Sequence, residues 1–400
     1  MRLLVDAHVL DGKYQGTRTY IEGIYRNMVR HEDIEFYFAA VDTDNLERTF
    51  GAASNIHYVK LKSRSKMERL AVEFPLIIRK HGIDCAHFQY ISPLVKTCKE
   101  IVTIHDLLFL DYPEYFPWMY RVKNKFLFRR SARRADLLLT VSPFSRDEIV
   151  RHFCIPEGAI KITPNGVTLL ASGMALPDVK NKFGLDRFIM TVSRIEPRKN
   201  HQLLLQAWVE LKLYEQGIKL VFVGAKDMAN KAFSGYYGSL PQTVKDNVVM
   251  VAASYPELMA LYKTTDLFVF PSLAEGFGIP PLEAAAMGCP VLCSNQTAMA
   301  DFDFFGECLF HPCNIEELKT KMVAVLNGTL SSQKAFIDKY DWALIADNFY
   351  NMLKHNILPT PPSCLHTLTH HHAPYTYLGE FNNFIPISSC AFSYNLKQCA

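Results

Sequence analysis

Short apolar runs alternate with helix-like segments along almost the whole chain, in two successive series. A short, continuously apolar run is typical of a strand buried on both faces, as in a parallel sheet covered by helices. The alternation therefore predicts an α/β protein with two doubly wound, Rossmann-like domains facing across a cleft. Ligands of such sheets bind at the carboxyl ends of the strands, so the site is expected in that cleft.

The two series set the predicted domain limits. Strands are predicted at residues 2–7, 35–40, 56–59, 85–88, 100–104, 137–141 and 159–162, and then at 188–192, 219–224, 248–252, 266–270 and 290–293. We assign residues 1–170 to the first domain, 171–186 to a linker rich in small residues, and 187–352 to the second domain. The segment Ser142-Pro-Phe-Ser-Arg-Asp-Glu is predicted to start a helix, with Ser145 and Glu148 at the spacing of a capping box.

The remaining segment, residues 353–400, is a tail of uncertain order. From residue 356 onward it holds one lysine, one glutamate, five prolines and the run His370–His372. The composition leaves open a packed appendage or a poorly ordered tail. The histidine run is expected to bind metal only adventitiously.

Bulk properties limit the class of protein. The net charge of +3 gives no reason to expect general nucleic-acid binding. No apolar run reaches the ~18 residues of a membrane-spanning helix. The first residues predict a strand rather than a signal peptide. The ten cysteines include no Cys-x-x-Cys pair, so we expect buried or reduced thiols in a cytoplasmic protein.

A pair of glutamates, Glu275 and Glu283, brackets a Gly-Phe-Gly turn and a Pro-Pro pair. An apolar strand precedes the block, and a helix rich in small residues follows it. A helix N-terminus after a glycine turn binds anions, because its unpaired N–H groups and its dipole face the ligand. Carboxylates beside it can accept hydrogen bonds from hydroxyls. The block therefore favours a ligand with both phosphates and a polyol, such as a nucleotide sugar.

Three cations, Arg194, Arg198 and Lys199, follow the first strand of the second series. A diphosphate could take bidentate hydrogen bonds from arginine and a point charge from lysine. The alternative is a solvated basic helix start, which is unfavourable without an anion. Arg194 and Lys199 are the favoured phosphate ligands, whereas Arg198 could equally face solvent.

The chain resembles the family 4 retaining glycosyltransferases, which have the GT-B fold. The resemblance covers roughly residues 1–352. It rests on the Arg194…Lys199 and Glu275…Glu283 blocks, on Leu220-Val-Phe-Val-Gly and on residues 256–295. In the first half it rests on Thr103-Ile-His-Asp, Leu110-Asp-Tyr-Pro-Glu-Tyr-Phe-Pro, Thr140-Val-Ser-Pro-Phe-Ser and Pro164-Asn-Gly-Val. Within the family, the first half is most similar to bacterial mannosyltransferases of surface-polysaccharide assembly.

The resemblance implies roles for residues of the second domain. Glu283 would accept hydrogen bonds from the donor ribose; the alternative is a carboxylate that stabilises a helix start. Glu275 would lie under the donor sugar and stabilise positive charge at C1. Arg194 and Lys199 would neutralise the departing diphosphate, in place of a metal, with Arg198 as a further donor contact. Sugar hydroxyls or phosphate would bind the backbone amides of Gly276, Phe277 and Gly278.

The first domain would contribute fewer contacts. His105 would lie near the donor sugar, although a lone histidine after a strand is usually structural, and Asp106 could cap the next turn. Gly16 fits the turn before the first long helix, where its amide could face phosphate or acceptor. Arg18 departs from the family pattern. It could reach an anionic acceptor or be merely exposed.

Neither Asp-x-Asp triplet, at residues 42–44 and 301–303, has the context of a metal site, so no metal and no other cofactor is expected. Two basic stretches, at residues 60–69 and 121–134, are interleaved with apolar residues and favour contact with an anionic membrane surface. The alternative is a solvated helix face. Nucleic acid is not expected, because no recognition motif accompanies the charge.

The sequence thus predicts a retaining, metal-independent hexosyltransferase. The expected donor is GDP-mannose, and the expected acceptor is a lipid-linked saccharide or an oligosaccharide at the cytoplasmic face of a bacterial inner membrane. A UDP-sugar-dependent transferase of the same fold is the alternative. An epimerase or a phosphorylase is disfavoured by the glutamate pair and by the absence of a cofactor-lysine motif. A non-catalytic nucleotide-sugar-binding scaffold is a rival from another class.

Overall fold

The computed structural model describes residues 1–12, 15–168, 175–224, 230–331 and 337–357. The tail beyond residue 357, with its histidine run, lies outside the described residues, as does the stretch 169–174 at the domain junction.

The described chain forms two parallel sheets with helices on their faces, so the predicted α/β fold class is confirmed. The first sheet has the order β3-β2-β1-β4-β5-β6-β7 and the second the order β10-β9-β8-β11-β12-β13. The strands of the first sheet are β1 Arg2–Asp6, β2 Glu35–Ala40, β3 Ile56–Lys60, β4 Cys85–Gln89, β5 Lys99–Ile104, β6 Leu137–Thr140 and β7 Ile160–Ile162. Those of the second are β8 Arg187–Val192, β9 Ile218–Val223, β10 Val248–Val251, β11 Leu267–Phe270, β12 Val291–Ser294 and β13 Leu309–Phe310.

The helices alternate with the strands, and their bounds in chain order define the labels used below. The first seven are α1 Gly16–Met28, α2 Thr43–Phe50, α3 Lys66–Glu68, α4 Phe74–His81, α5 Leu108–Asp111, α6 Trp118–Arg134 and α7 Pro143–Phe153. The others are α8 Val179–Phe183, α9 His201–Glu210, α10 Lys231–Ser239, α11 Gln242–Lys245, α12 Tyr255–Thr264, α13 Ile279–Ala286, α14 Ile315–Leu326 and α15 Trp342–Asn356. A π-helical turn, Arg69–Glu73, joins α3 to α4.

Buried strands and capped helices explain why these segments fold as they do. The central strands are almost wholly buried, for example Leu3, Leu4 and Val5 in β1, as expected of a sheet covered on both faces. Helix α7 starts within the predicted segment 142–148, but the predicted capping pair, Ser145 and Glu148, was wrong. Ser142 caps the helix by accepting a hydrogen bond from the backbone N–H of Ser145. Proline at the first helical position fixes the start there.

The strand order predicts one ligand-binding crevice at the end of each sheet. The order reverses between β1 and β4 in the first sheet and between β8 and β11 in the second. Loops that leave adjacent strands in opposite directions open a crevice at such a switch point, beyond the carboxyl ends of the strands. The two crevices face each other, and the segments after β4, β5, β8 and β11 line the cleft between them.

The last helix returns to the first domain. Trp342, at the start of α15, lies against Gly23 of α1 and against Gly166, where an added Cβ would come within 2.2 and 2.6 Å of the indole ring. Phe349 packs on Tyr25, and Arg30 forms an ion pair with Asp347. This differs from the predicted domain limits, which placed residues 187–352 in the second domain.

Part of the predicted linker is also packed. Helix α8 lies within residues 171–186, and Val179 in it is buried. Lys182 of α8 pairs with Glu257 of α12, which ties the segment to the second domain.

Two bulk expectations can be compared with the structure. Among the described residues no helix is both long and apolar enough to cross a membrane. Six cysteines of the described chain are free thiols, as expected. Cys313 is disulfide-bonded, so the expectation of reduced thiols is wrong at this position.

Candidate active site

A cleft of about 400 Å³ lies between the two domains. Every residue that the sequence singled out for the site lines it, so the structure brings together segments far apart in the chain. The first domain supplies Gly16 and His105, and the second supplies Arg194, Arg198, Lys199, Glu275, Gly276, Phe277, Gly278 and Glu283. This placement agrees with the predicted site, whereas the individual roles remain predictions.

Glu275 is the centre of a buried ion cluster. One of its carboxylate oxygens accepts a hydrogen bond from Lys199 Nζ at 2.5 Å, and the other accepts one from an Arg198 guanidinium nitrogen at 2.8 Å. Arg198 also pairs with Glu196 at 2.6 Å. The side chains of Glu275, Arg198 and Lys199 are only 11%, 13% and 14% exposed. Arg198 therefore does not face solvent, which was one of the two alternatives left open.

The cluster keeps Glu275 ionised. Burial by itself would raise the pKa of this carboxyl, but Lys199 and Arg198 outweigh it and lower the pKa to about 2. The two acids around Arg198, Glu275 and Glu196, hold the pKa of its guanidinium above the usual range despite burial. The cluster is close to charge balance, so a diphosphate that approaches the cations must compete with Glu275 for their hydrogen bonds.

The loop after β8 positions these cations. Residues Pro197–Lys199 form a single 3₁₀ turn, and Asn200 follows with a left-handed φ of 55°. Arg194 is exposed at the mouth of the cleft, one turn before the ion cluster. The turn aims Arg198 and Lys199 inward at Glu275 and leaves Arg194 at the rim.

The glycine turn after Glu275 is where the two domains come closest. The carbonyl oxygen of Gly276 accepts hydrogen bonds from the hydroxyls of Ser142 at 2.8 Å and Ser145 at 3.1 Å. An added Cβ at Gly276 would lie 2.6 Å from Cβ of Asp106. Gly278 has a φ of +109°, a conformation that favours glycine. Glycine is therefore needed at both positions, for close approach and for backbone conformation respectively.

Helix α13 begins directly after this turn and presents its N-terminus to the cleft. Its second and third residues, Pro280 and Pro281, have no N–H, so the anion-binding donors of this end reduce to the turn and Ile279. The ring of Phe277 packs between Phe302 and Tyr340. Packing therefore occupies the ring of Phe277, and a ligand contact through its backbone amide remains a prediction.

Glu283, the fifth residue of α13, faces the cleft from the helix side. Its carboxylate accepts a hydrogen bond from the hydroxyl of Tyr262 at 3.0 Å rather than from the helix start. Burial raises the pKa of Glu283 to about 7, and the Tyr262 hydrogen bond opposes this rise only in part. No contact therefore supports the alternative in which this carboxylate stabilises the helix start. The carboxyl of Glu283 titrates near neutral pH, at a pKa of about 7.

His105 lies on the first-domain side of the cleft. Its Nε2 is 2.6 Å from the side-chain oxygen of Gln89, and its ring meets Tyr20 edge-on at 4.9 Å. Burial lowers the pKa of His105 to about 3, so the imidazole is neutral at physiological pH. With Nε2–H donated to Gln89, Nδ1 is left as an acceptor, which suits a hydroxyl of a bound sugar.

Below His105 lies a buried polar network that the sequence analysis missed. His87 is hydrogen-bonded to the hydroxyls of Tyr25 and Thr103, both at 2.7 Å. Gln89 joins this network to His105. The available signal was the pair of polar residues His87 and Gln89 in a strand whose other members are apolar, because buried polar groups need partners.

Asp106 and Tyr90 complete the first-domain wall. Asp106 accepts a hydrogen bond from the backbone N–H of Leu108, so it caps the next turn as one alternative proposed. The hydroxyl of Tyr90 lies 3.4 Å from the same carboxylate, whose pKa burial raises. Tyr90 has a φ of 63°, which is costly for an aromatic residue and is a kind of strain often found at functional sites.

The first turn of the chain also faces the cleft. Helix α1 begins at Gly16, and an added Cβ there would be 3.9 Å from Ile279 of α13. Arg18 lies 3.6 Å from Glu22 and 3.5 Å from the carbonyl oxygen of Leu10. These contacts give Arg18 a structural role, so they supply no evidence for acceptor contact.

Potential metal ligands among the described residues converge at one place, away from the cleft: Asp111, Glu148 and His152. Arg151 already pairs with both carboxylates there, at 2.8 Å to Asp111. In the acidic triplets, Asp42 caps α2 and Asp301 accepts a hydrogen bond from the backbone of Phe144. These groups have structural contacts, whereas metal independence itself remains a prediction.

Comparison with known protein families agrees with the two-domain architecture. A family model described as "Glycosyltransferase Family 4" matches residues 14–169. A second, described as "Glycosyl transferases group 1", matches residues 175–340. The two matches meet at the predicted linker.

Several curated proteins are similar to this chain. The O-antigen chain mannosyltransferase B of Escherichia coli is 31% identical over 212 residues, which is 51% of this chain and 55% of that protein. The O-antigen chain mannosyltransferase RfbU of Salmonella typhimurium is 26% identical over 269 residues, 65% of this chain and 69% of that protein. The N-acetylgalactosamine-N,N'-diacetylbacillosaminyl-diphospho-undecaprenol 4-alpha-N-acetylgalactosaminyltransferase of Campylobacter jejuni is 29% identical over 185 residues, 46% of this chain and 48% of that protein. The chain spans about half the length of the first of these relatives.

Solved structures show the same fold at low sequence identity. Sucrose-phosphate synthase from Thermosynechococcus elongatus superposes with a TM-score of 0.68 at 17% identity, covering 88% of this chain and 98% of that one. Anabaena HepE, in complex with UDP and glucose, superposes with a TM-score of 0.63 at 17% identity, covering 88% and 99%. Together, the two family matches, the curated relatives and the shared architecture show that the chain belongs to the family 4 glycosyltransferases of the GT-B fold.

Proposed function

We propose that this protein is a retaining glycosyltransferase of bacterial surface-polysaccharide synthesis, in O-antigen, capsule or exopolysaccharide. It transfers mannose from GDP-mannose to a lipid-linked saccharide or an oligosaccharide. The choice of mannose rests on the names of the Escherichia coli and Salmonella relatives. The choice of a lipid-linked acceptor has support from the Campylobacter relative, whose name includes a diphospho-undecaprenol.

The observation that carries the proposal is the buried cluster of Glu275, Arg198 and Lys199 beside the glycine turn. Two buried cations held at fixed positions in the cleft are suited to a diphosphate leaving group. Such preorganised charge stabilises a transition state more than it would in water, because no solvent has to reorganise. A carboxylate between them keeps the cations in place before the donor arrives.

The proposed mechanism assigns each wall of the cleft a task. Arg194 and Lys199, with Arg198, bind the diphosphate and stabilise the charge that builds on it as the bond to C1 breaks. Ionised Glu283 accepts hydrogen bonds from the ribose hydroxyls. Neutral His105 accepts a hydrogen bond from a sugar hydroxyl through Nδ1. The departing phosphate takes the proton of the acceptor hydroxyl, which attacks on the same face, so configuration is retained.

A panel of nucleotides tests the donor. Thermal shift should be measured with GDP, UDP and ADP and with their sugars, in the presence and absence of EDTA. A ligand at 100 times its dissociation constant should stabilise the protein by ~2.7 kcal/mol. We expect a selective shift with GDP and GDP-mannose that EDTA does not change. A shift with UDP-sugars alone would replace mannose by the alternative donor class and leave the mechanism standing.

A transfer assay separates the enzyme from a binding scaffold. Release of GDP from GDP-mannose should depend on an acceptor fraction, and the product anomer should match the donor anomer by NMR. Selective binding of GDP-mannose without transfer to any acceptor pool would favour the scaffold. A loss of transfer on EDTA treatment would contradict the metal-independent mechanism.

We also propose that the protein lies at the cytoplasmic face of the inner membrane. Helix α6 leaves Trp118, Met119 and Phe126 69%, 76% and 70% exposed, and its sequence is strongly basic. The second basic stretch, at residues 60–69, lies beside α6 across a small groove. Exposed apolar side chains among cations suit an anionic bilayer surface, at ~1 kcal/mol per cation near the headgroups.

Vesicle flotation tests this surface. The double variant Trp118→Ser/Phe126→Ser should reduce binding to vesicles containing phosphatidylglycerol by at least tenfold. The control Leu344→Ser, at a 47% exposed position of α15, should leave it unchanged. Equal binding of all three proteins would contradict the assignment of this surface.

A further inference from the structure

A small groove lies between the π-helical turn Arg69–Glu73 and helix α6, outside the cleft. We call it the α6 groove. Its cavity is about 70 Å³, and its apolar wall includes Met67, Leu70 and Leu127. Two lysines, Lys66 and Lys123, line it from opposite sides. π-Helical turns are rare and often mark functional sites.

The residues that line the groove include two lysines and no acid. Burial around its amine lowers the pKa of Lys66, although the residue is exposed as a whole, and Arg69 and Lys123 lower it further by repulsion. Asp6 is the acid that acts against these cations. Asp6 itself forms an ion pair with His8 at 2.6 Å. An anion at the groove would relieve the repulsion among the three cations.

Arg69 begins the π-helical turn directly before Leu70 of the groove wall, but its own side chain does not line the groove. This side chain is 6% exposed, and one of its terminal nitrogens donates to the carbonyl oxygen of Arg64 at 2.7 Å. Its Nε is buried and has no hydrogen-bond partner among the described residues. The charge of Arg69 acts on Lys66 and so adds to the positive field at the groove.

The groove is connected to the cleft through Tyr90. Tyr90 lines the cleft, and the next two residues, Ile91 and Ser92, line the groove. The ring of Tyr90 stacks on Phe128 of α6 at 4.8 Å, and the neighbouring Leu127 belongs to the groove. The groove and the cleft therefore lie on either side of one wall, formed by residues 90–92.

We propose that the α6 groove binds the phosphate or diphosphate head and the first apolar segment of a lipid-linked acceptor. Lys66 and Lys123 hold the anionic head, the nearby charge of Arg69 adds to their attraction, and the apolar wall takes the start of the hydrocarbon chain. The saccharide then lies over Tyr90 towards the donor. This inference rests on the proposed function, because it assigns the acceptor class of the same enzyme.

Farnesyl diphosphate is a water-soluble probe of this site. Its binding should be measured by calorimetry with the donor site filled by GDP, so that the diphosphate cannot bind there. The groove variant Lys66→Ala/Lys123→Ala should weaken binding at least tenfold. The control Lys80→Ala/Lys125→Ala removes the same charge from exposed positions of α4 and α6 and should change binding less than twofold. Farnesol and inorganic diphosphate should each bind more weakly than farnesyl diphosphate.

The outcomes separate this inference from its alternatives. Equal weakening in the groove variant and the control would mean general charge attraction and would overturn the site. Failure of farnesyl diphosphate to bind the wild type would overturn it as well. So would a groove variant that loses only binding to phosphatidylglycerol vesicles, because the lysines would then serve bulk headgroups. The nucleotide panel is independent of the groove, so failure of the donor proposal would be seen separately.

Discussion

Replacing Glu275 by glutamine would remove one negative charge from the buried ion cluster and keep the size of the side chain. Lys199 and Arg198 would then lie buried in the cleft without the carboxylate that now accepts a hydrogen bond from each of them. Removing one partner of a buried ion pair is far more damaging than replacing the pair, because the remaining charge stays desolvated.

The structure sets the size of this effect. The cations lower the pKa of Glu275 from 4.5 to about 2. At ~1.4 kcal/mol for each tenfold change in acidity, this favours the ionised form by roughly 3 kcal/mol. That value lies in the range of ~3–5 kcal/mol measured when buried pairs are broken. With ~2–4 °C of melting temperature per kcal/mol, we expect a fall of roughly 6–12 °C.

Glu275→Gln should raise the affinity for GDP and lower the turnover. GDP should bind the variant at least about threefold more tightly, because its diphosphate no longer competes with the carboxylate for Lys199 and Arg198. Turnover should fall at saturating donor, because Glu275 no longer orients the cations or faces the sugar. Calorimetry with GDP, thermal denaturation and steady-state transfer kinetics measure the three quantities.

A matched control is available in the same cluster. Glu196→Gln removes a carboxylate that pairs with Arg198 at 2.6 Å but does not line the cleft. It should lower the melting temperature and leave GDP affinity and turnover within about twofold of the wild type. Weaker GDP binding in Glu275→Gln, with unchanged turnover, would refute the view that Glu275 competes with the diphosphate.

The pH dependence of stability provides a further check on Glu275. A carboxyl whose pKa is lowered on folding contributes stability above its unfolded pKa and loses it as pH falls through the folded value. The stability difference between wild type and Glu275→Gln should therefore be constant above pH 4.5 and shrink as pH falls towards 2. A difference that persists unchanged at pH 2 would contradict the ion-pair explanation.

The remaining predictions concern Glu283 and Gly276. Because the pKa of Glu283 is about 7, GDP affinity should fall as pH drops from 8 to 6, with uptake of a proton by the free protein, and Glu283→Gln should remove this dependence. Its stability contribution has the opposite sign, since a raised carboxyl pKa stabilises the fold at low pH and this contribution is lost between pH 4.5 and 7. Gly276→Ala would place a methyl group 2.6 Å from Asp106 and should lower turnover at least tenfold, whereas Gly158→Ala, with open space around an added Cβ and no positive φ, serves as a stability control for glycine replacement.

Much of the fold could be predicted because its signals are local. Buried parallel strands are continuous apolar runs. The limits of the predicted strands differ from those in the structure by no more than one residue. The two-residue strand β13 was not predicted, since such a strand has too few residues for a pattern. The cap of α7 was misassigned because two serines, Ser142 and Ser145, both suit a cap, and only the folded backbone selects between them.

The return of α15 to the first domain could not be read from the sequence. Its amphipathic pattern indicates a buried face but does not say which domain covers it. The choice depends on Gly23 and Gly166, which leave room for Trp342. The strain at Tyr90 and the network under His105 are likewise properties of packing, because they depend on contacts between different strands.

The sequence by itself determined the fold class, the position of the cleft and part of the set of residues that line it, because strand patterns and the Glu275–Glu283 block are short-range signals. Only the tertiary structure decided how the charges are paired. Glu275 meets Arg198 and Lys199 across separations of 77 and 76 residues, and no local pattern specifies which cation turns inward. It also decided the protonation of Glu283 and His105, because a pKa depends on burial and neighbours, and both are set only when the two domains close around the cleft.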